Sequence, residues 1–349
     1  MRKNILPYFL LFFFACVSAS RVNAANETYD VWNGAMPTTV DISASSITVN
    51  TAAELAWLSA NIPSDGYENK TIILAANIDL NGFKWQPIGN AARPFKGTFN
   101  GDGYLIRGLR LLEGTDGVGL FGHVAQGARI EQLGISGGTI VAKPKRRIGA
   151  LAGVCDGDIR QCWTMAQIAA AGNVVGSLVG ELTANGSITD CYNAGLILNG
   201  SDTIGGIVGY NNGGTLRRVY HVGYAKNGKA IVGVDENGRY DACYYDRKLY
   251  YQQPGVVNPN VIPVDETEKM YDIFDGETGW TTNVSDKLYP ILSTFADTDA
   301  AKLSVAPMFI EKDSKDPVNH ANDLIEPFTV SIVNNVSWVC RDKDDEQWI

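Results

Sequence analysis

GVGLFG (117–122), IGALAG (148–153), VGSLVG (175–180), IGGIVG (204–209) and GKAIVG (228–233) are five variants of one phrase, and their closing glycines fall 24 to 31 residues apart. A second phrase follows each after a polar turn: ARIEQL (128–133), DIRQCW (158–163), SITDCY (187–192), TLRRVY (215–220) and RYDACY (239–244). Its equivalent positions are Leu133, Cys162, Cys191, Val219 and Cys243, stepping by 24 to 29 residues. A period of this size marks a solenoid, propeller or array. Each copy holds short apolar or alternating runs bounded by Gly, Asn and Asp, so its elements are strands. A propeller blade needs about four strands in about 40 residues, whereas these copies fit one coil of a β-helix. Stacked coils bring equivalent residues to about 4.8 Å from one another. Leu133, Cys162, Cys191, Val219 and Cys243 then form one interior file, and the glycines mark crowded or bent backbone. The fold class is all-β: a parallel β-helix.

The chain has 349 residues, 45% of them apolar, and a formal net charge of −9. That is ample for a large core, and an acidic surface argues against nucleic acid and anionic membrane as partners. Residues 1–24 read as a signal peptide: Arg2 and Lys3 supply the basic start, Ile5–Val17 the apolar centre and Val22-Asn23-Ala24 the cleavage site. Its removal takes the net charge to −12. The apolar run is short for a bilayer span and nothing later replaces it. Secretion or display at the cell surface is expected, with a lipoprotein cysteine at Cys16 as the lesser alternative.

GLFG at Gly119–Gly122, with the related SLVG and GIVG copies, resembles the GLUG motif of bacterial surface proteins. The lead-in resembles them too: AAELAWLSANI (52–62), IILAANIDLNGFKWQPIG (72–89) and FKGTFNGDGYLIRGLRL (95–111). The match covers roughly residues 46–292, ending near WTT…LYPIL (280–292). What the resemblance implies is a right-handed parallel β-helix exported to the surface, as is common in gut Bacteroidetes. The family brings no catalytic residues to carry over.

Residues 25–45 form a polar lead-in, and ISASSITV (42–49) contains a first strand. Thr51-Ala-Ala-Glu54 is a capping box, so Ala52–Asn61 is expected to be a short helix covering the N-terminal coil. Thr267–Phe274 reads as a second helix, and Trp280 with Tyr289-Pro290 is expected to close the C-terminal end. Residues 293–349 read as a linker and the start of a sandwich-like domain. A hairpin in PFTVSIVNNVSWVC (327–340) turns at Asn334-Asn335, and the segment reads as the opening of a truncated domain.

Six cysteines in an exported chain raise the prospect of disulfides. Cys162, Cys191 and Cys243 are read instead as reduced core residues, Cys155 as a turn residue and Cys340 as part of the tail. His123, His221 and His320 are scattered and read as structural; no metal site and no cofactor are expected. Acids recur in turns (Asp102, Asp156, Asp158, Asp235, Glu236). A calcium site needs about six to eight converging oxygens and a glycosidase two facing carboxyls, and ordinary turn chemistry explains these acids better.

Two groups are candidates for binding. Lys143, Lys145, Arg146 and Arg147 form a basic cluster that could grip an anionic glycan or a partner's carboxylates, or simply be solvated. Tyr192, Tyr220 and Tyr244 follow the interior file by one residue, so they should point outward. With Tyr245, Tyr250 and Tyr251 they could stack on sugar rings, or support one another across strands. The leading expectation is a monomeric, non-catalytic surface protein that binds host glycoprotein or polysaccharide. A passive spacer and a β-helix polysaccharide lyase or hydrolase are the alternatives.

Overall fold

The computed structural model describes residues 28–111, 117–141, 147–169, 174–198, 203–247, 253–265, 267–281, 289–298, 300–301, 329–333 and 335–339. The signal peptide, Cys16, Tyr250, Tyr251, His320 and Cys340 lie outside them.

Each repeat copy is one coil with five short walls. The coil that starts at Asp158 runs through Asp158–Arg160, Trp163–Thr164, Gln167–Ile168, Val174–Gly176 and Val179–Leu182. In the next coil Ser187–Asn193 spans the first two walls, followed by Leu196–Ile197, Ile204–Gly205 and Val208–Asn212. Every strand pairs parallel and in register with its equivalent one coil away. Walls one and two belong to a single 14-stranded sheet, and walls three, four and five are separate sheets. The protein is a parallel β-helix.

A single residue per coil makes the corner between walls one and two. Gln132, Gln161, Asp190, Arg218 and Ala242 all adopt left-handed backbone, with φ between 45° and 53°. That conformation costs an ordinary residue roughly 1–2 kcal/mol, so neighbouring coils must impose it. The next residue turns inward: Leu133, Cys162, Cys191, Val219 and Cys243 are fully buried. Cys191 pairs with Val219 and Val219 with Cys243, and the Cys162 amide lies 3.4 Å from Cys191 Sγ. The file expected from the repeat exists.

The closing glycines of the first phrase have a steric cause. Wall five crosses wall four backbone against backbone, and a Cβ on Gly209 would come within 2.7 Å of the Val175 amide nitrogen. The small residues inside the phrase make room across the tube. A Cβ on Gly206 would meet the buried His221 ring at 2.6 Å.

At the N-terminal end, Ser46–Val49 pairs with Thr71–Leu74, and helix α1 (Ala52–Ala60) leaves from its end. The Thr51–Glu54 capping box is formed, and Asp30 accepts the Ala52 amide at 2.7 Å. Leu55 and Leu58 are buried in the core, as a cap requires. The polar lead-in supplies a strand of its own, Tyr29–Val31, paired with Asn77–Asp79.

The C-terminal end departs from expectation. Residues 253–264 close it, not Trp280 and Tyr289. The Ala230 amide donates to Gln253 O, those of Ile231 and Val232 to Pro254 O, and that of Cys243 to Asn260 O. Strand Val261–Val264 then pairs with Cys243–Asp246 as the last strand of the long sheet, and its Pro263 has no N–H to offer another strand. Helix α2 (Thr267–Phe274) forms as read from the sequence. Beyond it the chain turns back along the flank of the tube. Trp280 lies on Tyr192 and Tyr220, Phe295 lies on Trp163, and Thr294 reaches Gly103 near the other end. The hairpin is present as the antiparallel strands Thr329–Val333 and Asn335–Val339.

Candidate functional site

The tyrosine row is the first candidate the structure tests. Tyr192 pairs with Tyr220 and Tyr220 with Tyr244, and all three project from the outer side of wall two. The rings stack in parallel: Trp163 on Tyr192 at 5.7 Å and Tyr192 on Tyr220 at 4.9 Å, each within 3°. The row is nevertheless closed to a ligand. Tyr192 and Tyr220 are fully buried and Tyr244 half-buried, because Phe274, Trp280, Tyr289 and Phe295 pack over them as a second cluster outside the tube. The Tyr220 hydroxyl donates to Pro290 O, that of Tyr289 to Asp246, and Trp280 Nε1 donates to Asp190 at 3.0 Å. Burial pushes the Tyr220 hydroxyl well above the usual tyrosine range. The rings point away from the tube, as alternation along the strand predicts, and support one another across the coils; the returning chain covers them, so they offer no open face to a sugar. Tyr245 points the other way, into the core.

Of the basic cluster, Arg147 lies among the described residues. Lys143, Lys145 and Arg146 lie outside the described residues. Arg147 starts wall four of its coil and forms an ion pair with Glu181 on wall five of the next. Glu181 is in register with Tyr210, whose hydroxyl bonds Glu236 one coil further on. That bond, with some burial, pushes the Tyr210 hydroxyl up to about 12. Arg147, Glu181, Tyr210 and Glu236 therefore form a strip across four successive coils, about 14 Å long at strand spacing. Val154 and Val234 flank it in the same register row. Glu236 is exposed and Tyr210 half-buried.

This strip was hidden from sequence reading. Glu181 and Tyr210 stand two residues past Val179 and Val208 within an otherwise apolar phrase, and alternation along the strand puts them outside. Chemically the strip offers carboxylate acceptors for hydroxyls, a phenol ring for stacking and one guanidinium. The Glu181 carboxylate is engaged by Arg147, and the Tyr210 proton is held toward Glu236.

The acidic turns do structural work. Asp156 accepts from Thr183 and from Asn185 Nδ2 at 3.1 Å, Asp158 from Ser187 Oγ at 2.6 Å, and Asp235 from Tyr240. Among the described residues no three His, Cys, Asp or Glu side chains are grouped to hold a metal. Cys155 is not a turn residue; it ends strand Ala152–Cys155 and is fully buried. Cys155, Cys162, Cys191 and Cys243 carry no disulfide, and burial pushes the Cys155 and Cys243 thiols up to about 12. His221 is buried with Asn193 Nδ2 at 3.0 Å from Nδ1. Among the described residues no helix is long and apolar enough to cross a membrane.

No family model matches the chain, so the GLUG resemblance rests on the quoted residues alone. A protein of Evansella cellulosilytica described as "Putative Gly-rich membrane protein" is 35% identical over 111 residues, covering 30% of this chain. "Halomucin" of Haloquadratum walsbyi is 30% identical over 149 residues, covering 39% of this chain. The chain spans only 13% and 2% of the lengths of these relatives. A solved structure from Bacteroides ovatus, described as "a putative immunoglobulin A1 protease", aligns at 17% identity with a TM-score of 0.49, covering 71% of this chain and 92% of that one.

Proposed function

We propose that this chain is an exported, non-catalytic binding module of the GLUG type, and that its wall-five strip engages a host glycoprotein or polysaccharide. The observation that carries the reading is the placement of the half-buried Tyr210 between Glu181 and the exposed Glu236 on a rigid wall. A sugar ring could lay its C–H face on the phenol and give its hydroxyls to the carboxylates, which makes charge-assisted bonds. Solenoids present extended surfaces of this kind, and neighbouring coils hold the groups in place without ordering cost on binding. The export signal read at residues 1–24 and the resemblance to surface proteins support a location outside the cell for such a module.

The test is an array of glycans and extracellular-matrix proteins probed with residues 25–349 and with the Tyr210→Ala variant. Binding by the parent, weakened about tenfold or more by the variant, is the expected outcome. Binding that ignores Tyr210→Ala moves the site elsewhere on the surface. No binding at all would leave the passive spacer as the better reading. A polysaccharide-cleaving enzyme remains the second reading because Glu181 and Glu236 share one wall, and turnover on the same glycans would establish it.

A further inference from the structure

Eight Asn-Gly pairs punctuate the sequence, starting at Asn33, Asn81, Asn100, Asn185, Asn199, Asn212, Asn227 and Asn237. This dipeptide carries its own chemistry. The glycine amide nitrogen, shielded by no side chain, can attack the carboxamide carbon of the asparagine before it. A C–N bond forms, ammonia leaves, and water opens the resulting succinimide to aspartate or isoaspartate. No oxidant or enzyme is required. Two structural conditions must hold: the glycine N–H must be free to give up its proton to solvent base, and the carboxamide must be free to swing over it.

Most of the pairs fail one condition or both. Gly82 donates its N–H to Gly108 O at 3.0 Å, Gly101 to Glu131 O at 2.8 Å, Gly186 to Thr183 O at 2.9 Å and Gly228 to Ala225 O at 2.9 Å. Gly238 donates to Asp235 Oδ1 at 3.1 Å. At the remaining N-terminal pair the Asn33 carboxamide accepts the Ala35 amide at 2.9 Å, and Gly34 lies against the Phe83 ring. Asn199-Gly200 lies outside the described residues. Asn212 differs. It is exposed at the end of strand Val208–Asn212, and Gly213 follows in a left-handed turn with φ 82°. Among the described residues neither the Asn212 carboxamide nor the Gly213 N–H makes a hydrogen bond.

We propose that Asn212 is a self-modifying site, converted to aspartate or isoaspartate by attack of the Gly213 nitrogen while the rest of the fold stays intact. Its position gives the event a consequence. Asn212 is in register with Glu236 and stands two residues from Tyr210, on the same outer face of wall five. The new carboxylate would face Glu236 directly, and like charges so placed repel. Ageing of the protein would thus rewrite the charge of the wall-five strip, whether or not that strip binds a glycan.

The experiment follows conversion by peptide mapping and mass spectrometry at mildly alkaline pH, on native protein and on the same protein in denaturant. In denaturant the pairs should convert at comparable rates. In the native protein Asn212 should keep a rate close to its denatured one. The pairs at Asn81, Asn100, Asn185, Asn227 and Asn237 should each fall by about tenfold or more, since a hydrogen bond must open first. The acidic species that accumulates should co-elute on ion exchange with the Asn212→Asp variant and should be missing from Asn212→Gln. Native protection of Asn212 equal to that of the other pairs, or faster conversion at any of them, overturns the proposal.

Discussion

Walls one and two are halves of one sheet, joined by strands such as Ser187–Asn193 that run through both, and their outer faces could hardly differ more. On wall one the outward rows are polar: Arg129 beside Asp158, Glu131 beside Arg160, Arg217 beside Asp241, paired across coils and open to water. On wall two, past the left-handed corner, the outward row is Trp163, Tyr192, Tyr220 and Tyr244, and it lies under the returning chain. The difference shows that strand pairing builds the tube while side-chain chemistry decides which wall stays a surface. Ion pairs between exposed side chains cost little to leave in water and contribute about 0–1 kcal/mol each. A row of aromatic rings buries far more apolar area, so any segment that can cover it gains roughly 1.5–3 kcal/mol per large side chain.

The contrast can be broken from the aromatic side first. Trp280→Ala should remove the ring that packs on Tyr192, Tyr220 and Phe274, at a cost of about 3–5 kcal/mol in urea unfolding. A loss below about 1 kcal/mol would show that the returning segment does not hold wall two in solution. Raising the pH probes the interior behind walls two and five. The Cys155 and Cys243 thiols are pushed from about 9 up to about 12 by burial. Their neutral forms are favoured in the fold, so this contribution is complete below pH about 9 and is lost as pH rises toward 12. Each pH unit in that window should remove up to about 1.4 kcal/mol per thiol. Thermal midpoints measured across the window for the parent and for Cys243→Ala check this; parallel curves would sink it.

On wall one, Arg217→Ala should change stability by no more than about 0.5 kcal/mol, and added salt should erase even that. A larger loss would mean that the exposed rows clamp the coils together. The corner itself gives the smallest effect. Ala242→Gly relieves a left-handed backbone but loosens the unfolded chain, and the two nearly cancel to within about 0.5 kcal/mol. Any clear stabilisation would show that the strain relieved at the corner outweighs the freedom gained by the unfolded chain.

The interior was readable because its cause is periodic. Leu133, Cys162, Cys191, Val219 and Cys243 recur at one position of one phrase, and stacking leaves them nowhere to go but inside. The capping box at Thr51 and helix α2 were legible for a local reason, since caps and short helices depend on neighbours in sequence. The candidate site was barely legible. Of the residues singled out, Arg147 and Glu236 stand on the strip, while Tyr192 and Tyr220 lie under cover. Alternation says that a side chain leaves the tube; it does not say what waits outside.

By itself, then, the sequence determined the coil: its length, its strands, its inward file and the glycines where backbones meet. Only the tertiary structure decided which outward side chains are surface, because Trp280, Tyr289 and Phe295 reach wall two from positions 60 to 132 residues further along the chain. A repeat encodes contacts between one coil and the next. The path by which a non-repeating segment returns over the stack has no period, and the fit of apolar area fixes it once the tube exists.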